Sequence, residues 1–285
     1  MVYPGRVIII GRTPDGRHDV VIYAVTGRSP SSRARRLVHE GSGTVRTGVT
    51  DPDLPGGGNE KLLLYRCLRP FPGGLAVSNG VQTDLIAETA CRLAAEQTTR
   101  LGREVLQSEP PAAPAEQQRP RKFSLPPAVK ILQQAFRQPH HISGVDVTTY
   151  EPDAPAFTPR ISGCLAGDAG LAIARRLPDG RPRRQFFPVP LIPGQGRLLA
   201  TYTGEDGDPL PSFEGEPRPV GLAEQIPQET AAAVFEALGP KETLSRTADL
   251  KSAGLDRRVG VAALFRDRRS GQLDVAIVNR TEGDP

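Results

Sequence analysis

Thirty glycines and 29 prolines stand among the 285 residues of this chain, and that load of backbone breakers limits its fold more than any other feature. Proline locks φ and lacks an N–H, and glycine loses the most backbone freedom on ordering, so neither sustains long helices. Turns and loops must take a large share, and a long all-helical bundle is excluded. The length suits one large domain or two small ones, enough to bury a real core. Hydrophobic residues make up 38% and aromatics 5%, with no Trp and one Met, which is polar for a globular protein but short of the disorder signature.

The turn signals divide the chain. Arg6 to Gly11 and Val20 to Val25 are β-branched runs flanking Thr13-Pro14-Asp15-Gly16, which predicts an N-terminal hairpin. Strands are expected at Leu62 to Leu68 and Gly74 to Val77, separated by Arg69-Pro70-Phe71-Pro72-Gly73. Apolar residues at helical spacing predict a helix over Asp84 to Gln97, capped by Thr83 or Asp84. Six prolines between Glu109 and Ala128 mark a mobile insertion, placed at about 102–127, after which Val129 to Phe136 resumes a helical pattern. The second half reads as strands at Leu171 to Ala174, Gln185 to Val189, Leu198 to Thr203, Val259 to Phe265 and Leu273 to Val278. One helix, Pro227 to Leu238, is stopped by Gly239-Pro240, and Asp267 to Gly271 is a hairpin turn. Grouped strands and grouped helices point to α+β with mostly antiparallel sheets. No P-loop and no GxGxxG after a strand is present.

The net charge is +4 with 31 Arg against five Lys. Arginine's planar fork suits phosphate and carboxylate, so an anionic small molecule fits this bias, whereas the few aromatics argue against a nucleic-acid binder. The longest strongly apolar run, Val7 to Ile10, is too short to span a bilayer and no signal peptide is evident, so the expectation is a cytoplasmic protein with no membrane partner. Cys67, Cys91 and Cys164 are scattered, which predicts buried reduced thiols rather than disulfides. His140-His141 is the only histidine pair and no spacing matches a metal motif, so neither metal nor cofactor is expected.

Four segments could carry chemistry. Gly27 to Arg33 places Arg28, Ser29 and Arg33 after a strand, a plausible phosphate clamp whose rival is a basic surface loop. Val77 to Asp84 crowds Asn79, Thr83 and Asp84 at a helix start, against the plain alternative of an Asn-Gly turn and cap. Glu151 and Asp153 with Arg160 could form a general acid or base tuned by a cation, or merely a solvated ion-paired loop. Thr201-Tyr202 and the stiff Pro209 to Pro217 loop show no chemistry by spacing. Tyr65 in mid-strand is read as core.

Together these segments, with Tyr3-Pro4-Gly5-Arg6, Cys67 beside Tyr65, and Thr158-Pro159-Arg160-Ile161-Ser162-Gly163, resemble the archaeal-type IMP cyclohydrolase family, including its bacterial branch. They occur in family order and cover most of the chain outside the insertion. The resemblance implies one domain over 1–285 with an N-terminal-nucleophile-hydrolase-like fold, a four-layer αββα sandwich of two mainly antiparallel sheets flanked by helices. Val2 after Met1 supplies no nucleophile, so the hydrolysis usual to that fold is not expected. The implied reaction closes the ring of 5-formamido-1-(5-phosphoribosyl)imidazole-4-carboxamide to inosine 5′-monophosphate with loss of water. Such chemistry calls for positioning, a donor to the formyl oxygen and an acid/base, without redox cofactor or metal.

Carried over residue by residue, the resemblance implies Arg28 at the carboxamide–formyl end or the phosphate, Ser29 and Arg33 at the phosphate, and Tyr65 in proton transfer or oxygen polarisation. Asn79, Thr83 and Asp84 would position the base, Glu151 would be the acid/base, and Arg160 its orienting cation. Val81 and Ala156-Phe157 depart from the family's more polar pattern, which bears on fine substrate contacts. A separate formyltransferase upstream and a homo-oligomer stay open. The alternatives are a cyclohydrolase on a related purine intermediate and a purine-nucleotide-binding regulatory protein without catalysis; the presence of Tyr65, Glu151 and Arg160 together favours an enzyme.

Overall fold

The computed structural model describes residues 3–50, 64–107, 125–205, 207–239 and 256–281. The chain opens with β1 (Arg6–Arg12) and β2 (His18–Thr26), passes one turn of helix α1 (Pro30–Arg33), and forms β3 (Arg35–Gly41), β4 (Thr44–Val49), β5 (Arg66–Phe71) and β6 (Gly74–Ser78). Helices α2 (Gln82–Gln107) and α3 (Ala128–Ala135) follow, then short β7 (His141–Ile142) and β8 (Val145–Asp146). Strands β9 (Arg160–Leu165), β10 (Ala169–Arg176), β11 (Pro182–Val189), β12 (Gln195–Ala200) and β13 (Arg218–Gly221) precede helix α4 (Pro227–Ala237), and β14 (Arg258–Asp267) and β15 (Leu273–Asn279) end the chain.

The result is α+β with antiparallel sheets. One sheet runs β13-β12-β1-β2-β14-β15 and the other β11-β10-β9-β6-β5-β4-β3. Their apolar faces share one buried cluster, with Ile8, Ile10, Val21 and Tyr23 from the first sheet and Leu68, Val77, Ile161 and Leu171 from the second. Each fully buried aliphatic side chain there contributes roughly 1.5–3 kcal/mol. Helix α4 packs on β14, β15 and β2, whereas α2 packs on β5, β6 and β9, and α3 on β9, β10 and β11. In α3 the buried positions Ala128, Ile131, Leu132 and Ala135 repeat at helical spacing, and the Ala128 N–H donates to Asp168 Oδ1 at 2.8 Å, which starts the helix. Among the described residues no helix is long and apolar enough to cross a membrane.

The N-terminal hairpin, both later helices and the last hairpin stand where the sequence predicts. Of the strand expected at Leu62 to Leu68, Leu62 and Leu63 lie outside the described residues, and within the described residues the strand runs Arg66–Phe71, with Pro70 opposite Leu75. Proline is tolerated because the pairing of β5 with β4 ends at Leu68, so no ladder bond is demanded of it there. Helix α2 runs well beyond Gln97, so residues 102–107 of the expected insertion are helical, and 108–124 lie outside the described residues. Thr83 and Asp84 fall inside α2 rather than capping it. Strand β12 ends at Ala200, three residues before the expected Thr203, although the Thr201 and Tyr202 N–H groups still donate to the Arg6 and Pro4 carbonyls at 3.0 and 3.2 Å. Cys67 and Cys164 are buried as expected, but Cys91 is exposed on α2.

Candidate functional site

The strand ends gather on one edge of the paired sheets. Arg6 opens β1, Arg35 opens β3, Arg160 opens β9, and Asn79 directly follows β6. Gly5 adopts φ +73°, and a Cβ there would lie 2.0 Å from Thr201 Oγ1, so only glycine makes this turn. The Gly5 carbonyl accepts from the Thr26 N–H and hydroxyl at 3.0 and 2.7 Å, and the Thr201 hydroxyl accepts from the Arg6 N–H at 3.1 Å while donating to the Pro4 carbonyl at 3.0 Å. Thr201-Tyr202 is thus the brace that sets Arg6, with the Tyr202 ring stacked on Tyr3 at 5.8 Å.

Arg6, Arg35 and Arg160 are 8%, 2% and 1% exposed. None has an acidic partner within ion-pair distance among the described residues, and Arg6 Nε, both Arg35 terminal nitrogens, and Arg160 Nε and Nη2 lack any hydrogen-bond acceptor. Burial, and then the neighbouring Arg6 charge, lower the Arg35 guanidinium from its ordinary value. Arg160 is likewise lowered by burial, whereas at Arg6 the lowering by burial is outweighed by Tyr65, Glu151 and neighbouring phenols, which hold it well above its ordinary value. Buried charge, otherwise expensive, is thus compensated from within at Arg6 and least at Arg35.

Glu151 sits in the same field. Its N–H donates to the Thr158 carbonyl at 2.8 Å, closing the 151–158 loop at its base, and Asp153 holds the loop by accepting from the Thr158 N–H and hydroxyl at 2.7 and 2.5 Å. Burial pushes the Glu151 carboxyl up from the ordinary glutamate value, with Arg6 and Arg160 opposing and Asp153 reinforcing the shift. Asn79 Nδ2 donates to Glu151 Oε1 at 3.4 Å and to the Pro159 carbonyl at 2.9 Å. Opposite, the Tyr65 and Tyr23 hydroxyls lie 2.6 Å apart, and the Tyr65 backbone is clamped by Thr47, whose Oγ1 accepts the Tyr65 N–H at 3.0 Å. Tyr23 is wholly buried, and burial followed by Tyr65 raises its phenol well above the usual value.

Of the predicted site residues, Tyr65, Asn79, Glu151 and Arg160 are therefore brought together, and Tyr65 packs in the inter-sheet core as the sequence predicts, with its hydroxyl against that of Tyr23. Thr83 is buried nearby but spends its hydroxyl on Ser78 and on the Gly80 carbonyl at 3.0 Å, which makes it scaffold. Asp84 turns away: its carboxylate pairs with Arg69 at 2.8 Å and Arg66 at 3.4 Å on β5. Arg160 makes no ion pair with Glu151; its Nη1 donates to Gln82 Oε1 at 3.3 Å. Arg28 and Ser29 are exposed, Ser29 caps α1 by accepting from the Ser32 N–H at 3.1 Å, and Arg33 donates to the Arg28 carbonyl at 3.0 Å. The loop touches the cluster through Arg35, whose Nε donates to the Ser32 carbonyl at 2.9 Å. Val81 packs on the inter-sheet core, and Phe157 meets Tyr150 edge-on at 5.6 Å beneath Arg176.

Arg6 and Arg35 were missed as site residues. The signal for Arg6 lay in Pro4-Gly5, a tight turn that places an arginine at the first position of an otherwise apolar strand; Arg35, within Arg33-Ala34-Arg35-Arg36, carries no such mark. No group of three or more His, Cys, Asp or Glu is placed to hold a metal ion among the described residues.

Residues 3–102, about a third of the chain, match the model of a family described as IMP cyclohydrolase-like protein, so the resemblance drawn from the sequence is supported there. No curated protein matches. Among solved structures, Anbu from Hyphomicrobium sp. strain MC1 aligns at 10% identity over 97% of this chain and 88% of that chain, with a TM-score of 0.22, too low to bear on the fold.

Proposed function

We propose that this chain, resembling the IMP cyclohydrolases over its first third, is itself an IMP cyclohydrolase that closes the ring of 5-formamido-1-(5-phosphoribosyl)imidazole-4-carboxamide to inosine 5′-monophosphate in purine biosynthesis. The observation that carries this reading is the set of buried, unpartnered guanidinium N–H groups of Arg6, Arg35 and Arg160 around Glu151 and Tyr65. A phosphorylated substrate supplies the missing acceptors, and a planar acceptor-rich base fits the amide and phenol donors beside it. The reading extends to a single domain and to the four-layer αββα sandwich of the N-terminal-nucleophile hydrolases, supported by helices on the outer face of each sheet.

The carboxamide nitrogen attacks the formyl carbon of the same molecule, so the largest service is to hold the two groups in contact. A Tyr23 hydroxyl that donates to Tyr65 frees the Tyr65 hydrogen for the formyl oxygen, where charge develops. As the C–N bond forms, the carboxamide nitrogen gives up one proton and the formyl oxygen gains one to become a hydroxyl. Glu151, kept toward its protonated form by burial, then delivers a second proton so that this hydroxyl leaves as water, and its carboxylate recovers a proton from the formamido nitrogen as the C=N bond forms. Arg28, Ser29 and Arg33, on the loop that Arg35 joins through the Ser32 carbonyl, would reach the phosphate from outside while Arg35 would meet it from within.

Ultraviolet absorbance of the purified protein mixed with the formamido ribonucleotide, with and without a chelator, tests the assignment. Chelator-insensitive formation of inosine monophosphate above the uncatalysed control is expected. Tight binding without product would shift the reading to a nucleotide-binding regulatory protein, and neither binding nor turnover would point to a different substrate.

A further inference from the structure

We infer that Gln82 is a positioning residue that aims the Asn79 amide at Glu151 and so completes a one-way chain of hydrogen bonds from Arg160 to the carboxyl group; the inference rests on the proposed ring closure. The chain is continuous. Arg160 Nη1 donates to Gln82 Oε1 at 3.3 Å, Gln82 Nε2 donates to Asn79 Oδ1 at 3.2 Å, and Asn79 Nδ2 donates to Glu151 Oε1 at 3.4 Å. All four side chains are buried, Asn79 and Gln82 completely, so water cannot substitute for a missing partner without a cost.

Its direction follows from chemistry rather than from how the amides are drawn. A guanidinium only donates, so Gln82 must present its oxygen to Arg160 and its NH2 to Asn79. The Ile161 backbone N–H also only donates, and at 2.8 Å it requires Oδ1 of Asn79 on the same side. Both constraints leave the Asn79 NH2 facing the Pro159 carbonyl with one hydrogen, at 2.9 Å, and Glu151 Oε1 with the other. When Glu151 is protonated its hydrogen therefore resides on Oε2, the oxygen not held by Asn79, and that is the proton given to the departing hydroxyl. Gly80 makes the geometry available: a Cβ there would lie 2.5 Å from Gln82 Oε1 and 2.7 Å from Arg160 Nη1.

The charges that bear on Glu151 are Arg6 at the start of β1, Arg35 at the start of β3, Arg160 at the start of β9 and Asp153 in its own loop. Gln82→Met leaves all four in place, whereas Gln82→Glu adds a fifth charge that itself raises Glu151, so the carboxyl titration is judged in Gln82→Met and Gln82→Glu is judged by kcat and KM. Two variants separate a relay from an anchor. Gln82→Met removes both bonds. Gln82→Glu keeps an acceptor for Arg160 but sets a carboxylate oxygen against Asn79 Oδ1, so the chain breaks at one link only.

The experiment measures kcat and KM for ring closure against pH in both variants and, independently of turnover, the carbon-13 titration of the Glu151 carboxyl in wild type and Gln82→Met, assigned by its loss in Glu151→Gln. Both variants are expected to lose about tenfold to a hundredfold in kcat with KM within about threefold. The alkaline limb, where Glu151 gives up its proton, moves upward by about half a pH unit in Gln82→Met. A Gln82→Glu protein with wild-type kcat would show that Gln82 merely anchors Arg160, and a raised KM with unchanged kcat would make it a substrate contact; either overturns the relay. If one variant does not fold, the other decides by its own readouts. Should wild-type protein form no inosine monophosphate, the ring-closing reading fails by itself, and the carboxyl titration in Gln82→Met alone decides: an upward shift upholds the relay and an unmoved one overturns it.

Discussion

Two arginine-bearing regions face the same edge of the molecule and treat their polar groups in opposite ways. The Gly27–Arg33 loop satisfies itself: Ser29 and Ser32 cap each other, and Arg33 is held by the Arg28 carbonyl. The cluster of Arg6, Arg35 and Arg160 leaves N–H groups buried without acceptors. Exposed guanidiniums in water lose little by lacking a partner, whereas buried ones lose much of their solvation. Unsatisfied burial, more than basic composition, therefore marks where the substrate phosphate of the proposed reaction would sit.

That contrast is most sharply broken at Glu151. Glu151→Gln is expected to lower kcat by about 10²- to 10⁴-fold with a much smaller change in KM, because only the proton-moving group is lost; steady-state kinetics with wild-type turnover would remove Glu151 from the mechanism. Next comes Arg35→Met, for which binding of the phosphorylated substrate weakens by about tenfold to a hundredfold, since a charge-assisted contact inside the cluster disappears. The same variant without ligand melts at a higher temperature than wild type, because a buried cation lowered from its ordinary value by burial no longer has to be accommodated. A lower melting temperature would mean that an internal partner already compensates Arg35.

Stability against pH sharpens the comparison further. The folded Glu151 value is raised, so its contribution is fully present below the unfolded carboxyl value of about 4.3 and is lost as pH rises through the folded value. Glu151→Gln should therefore gain melting temperature over wild type only as pH climbs through that window, by about 2–4 °C per kcal/mol of relieved cost. Equal melting curves at every pH would show that the carboxylate is compensated. In the loop, Arg33→Ala should raise KM by no more than about threefold, as expected for an exposed contact. The smallest effect is expected from deleting residues 110–120, with activity and melting temperature unchanged.

Much of the fold was legible because local signals agreed with tertiary demands. The β-branched runs around Thr13-Pro14-Asp15-Gly16 needed only a short turn, and Pro227 with Gly239-Pro240 bounded α4 within a residue. Strands β3, β4, β7, β8, β9 and β13 went unread. Arg35–Gly41 carries charges at three of its seven positions, and Arg160–Leu165 is broken by Ser162 and Gly163, so their β character comes from pairing with neighbours rather than from composition. The site divides along the same line. Glu151, Tyr65 and Asn79 stand in recognisable segments, whereas Arg35 is one of 31 arginines whose burial depends on where β3 meets the sheet. Asp84 misled because a carboxylate at a helix start looks like a ligand, yet two β5 arginines already claim it.

The brace on Arg6 also has a temporal meaning. The Arg6 N–H bonds a threonine 195 residues further along the chain, and β1 pairs with β12 over five residues, against seven with its own hairpin partner. Pairings of such separation form late, after the entropy of closing a long loop has been overcome. A chain emerging from the ribosome would hold its first strand unfinished until most of the polypeptide is made, and the charged edge would assemble only in the last stage of folding, when Glu151 and Arg160 are already present to meet it.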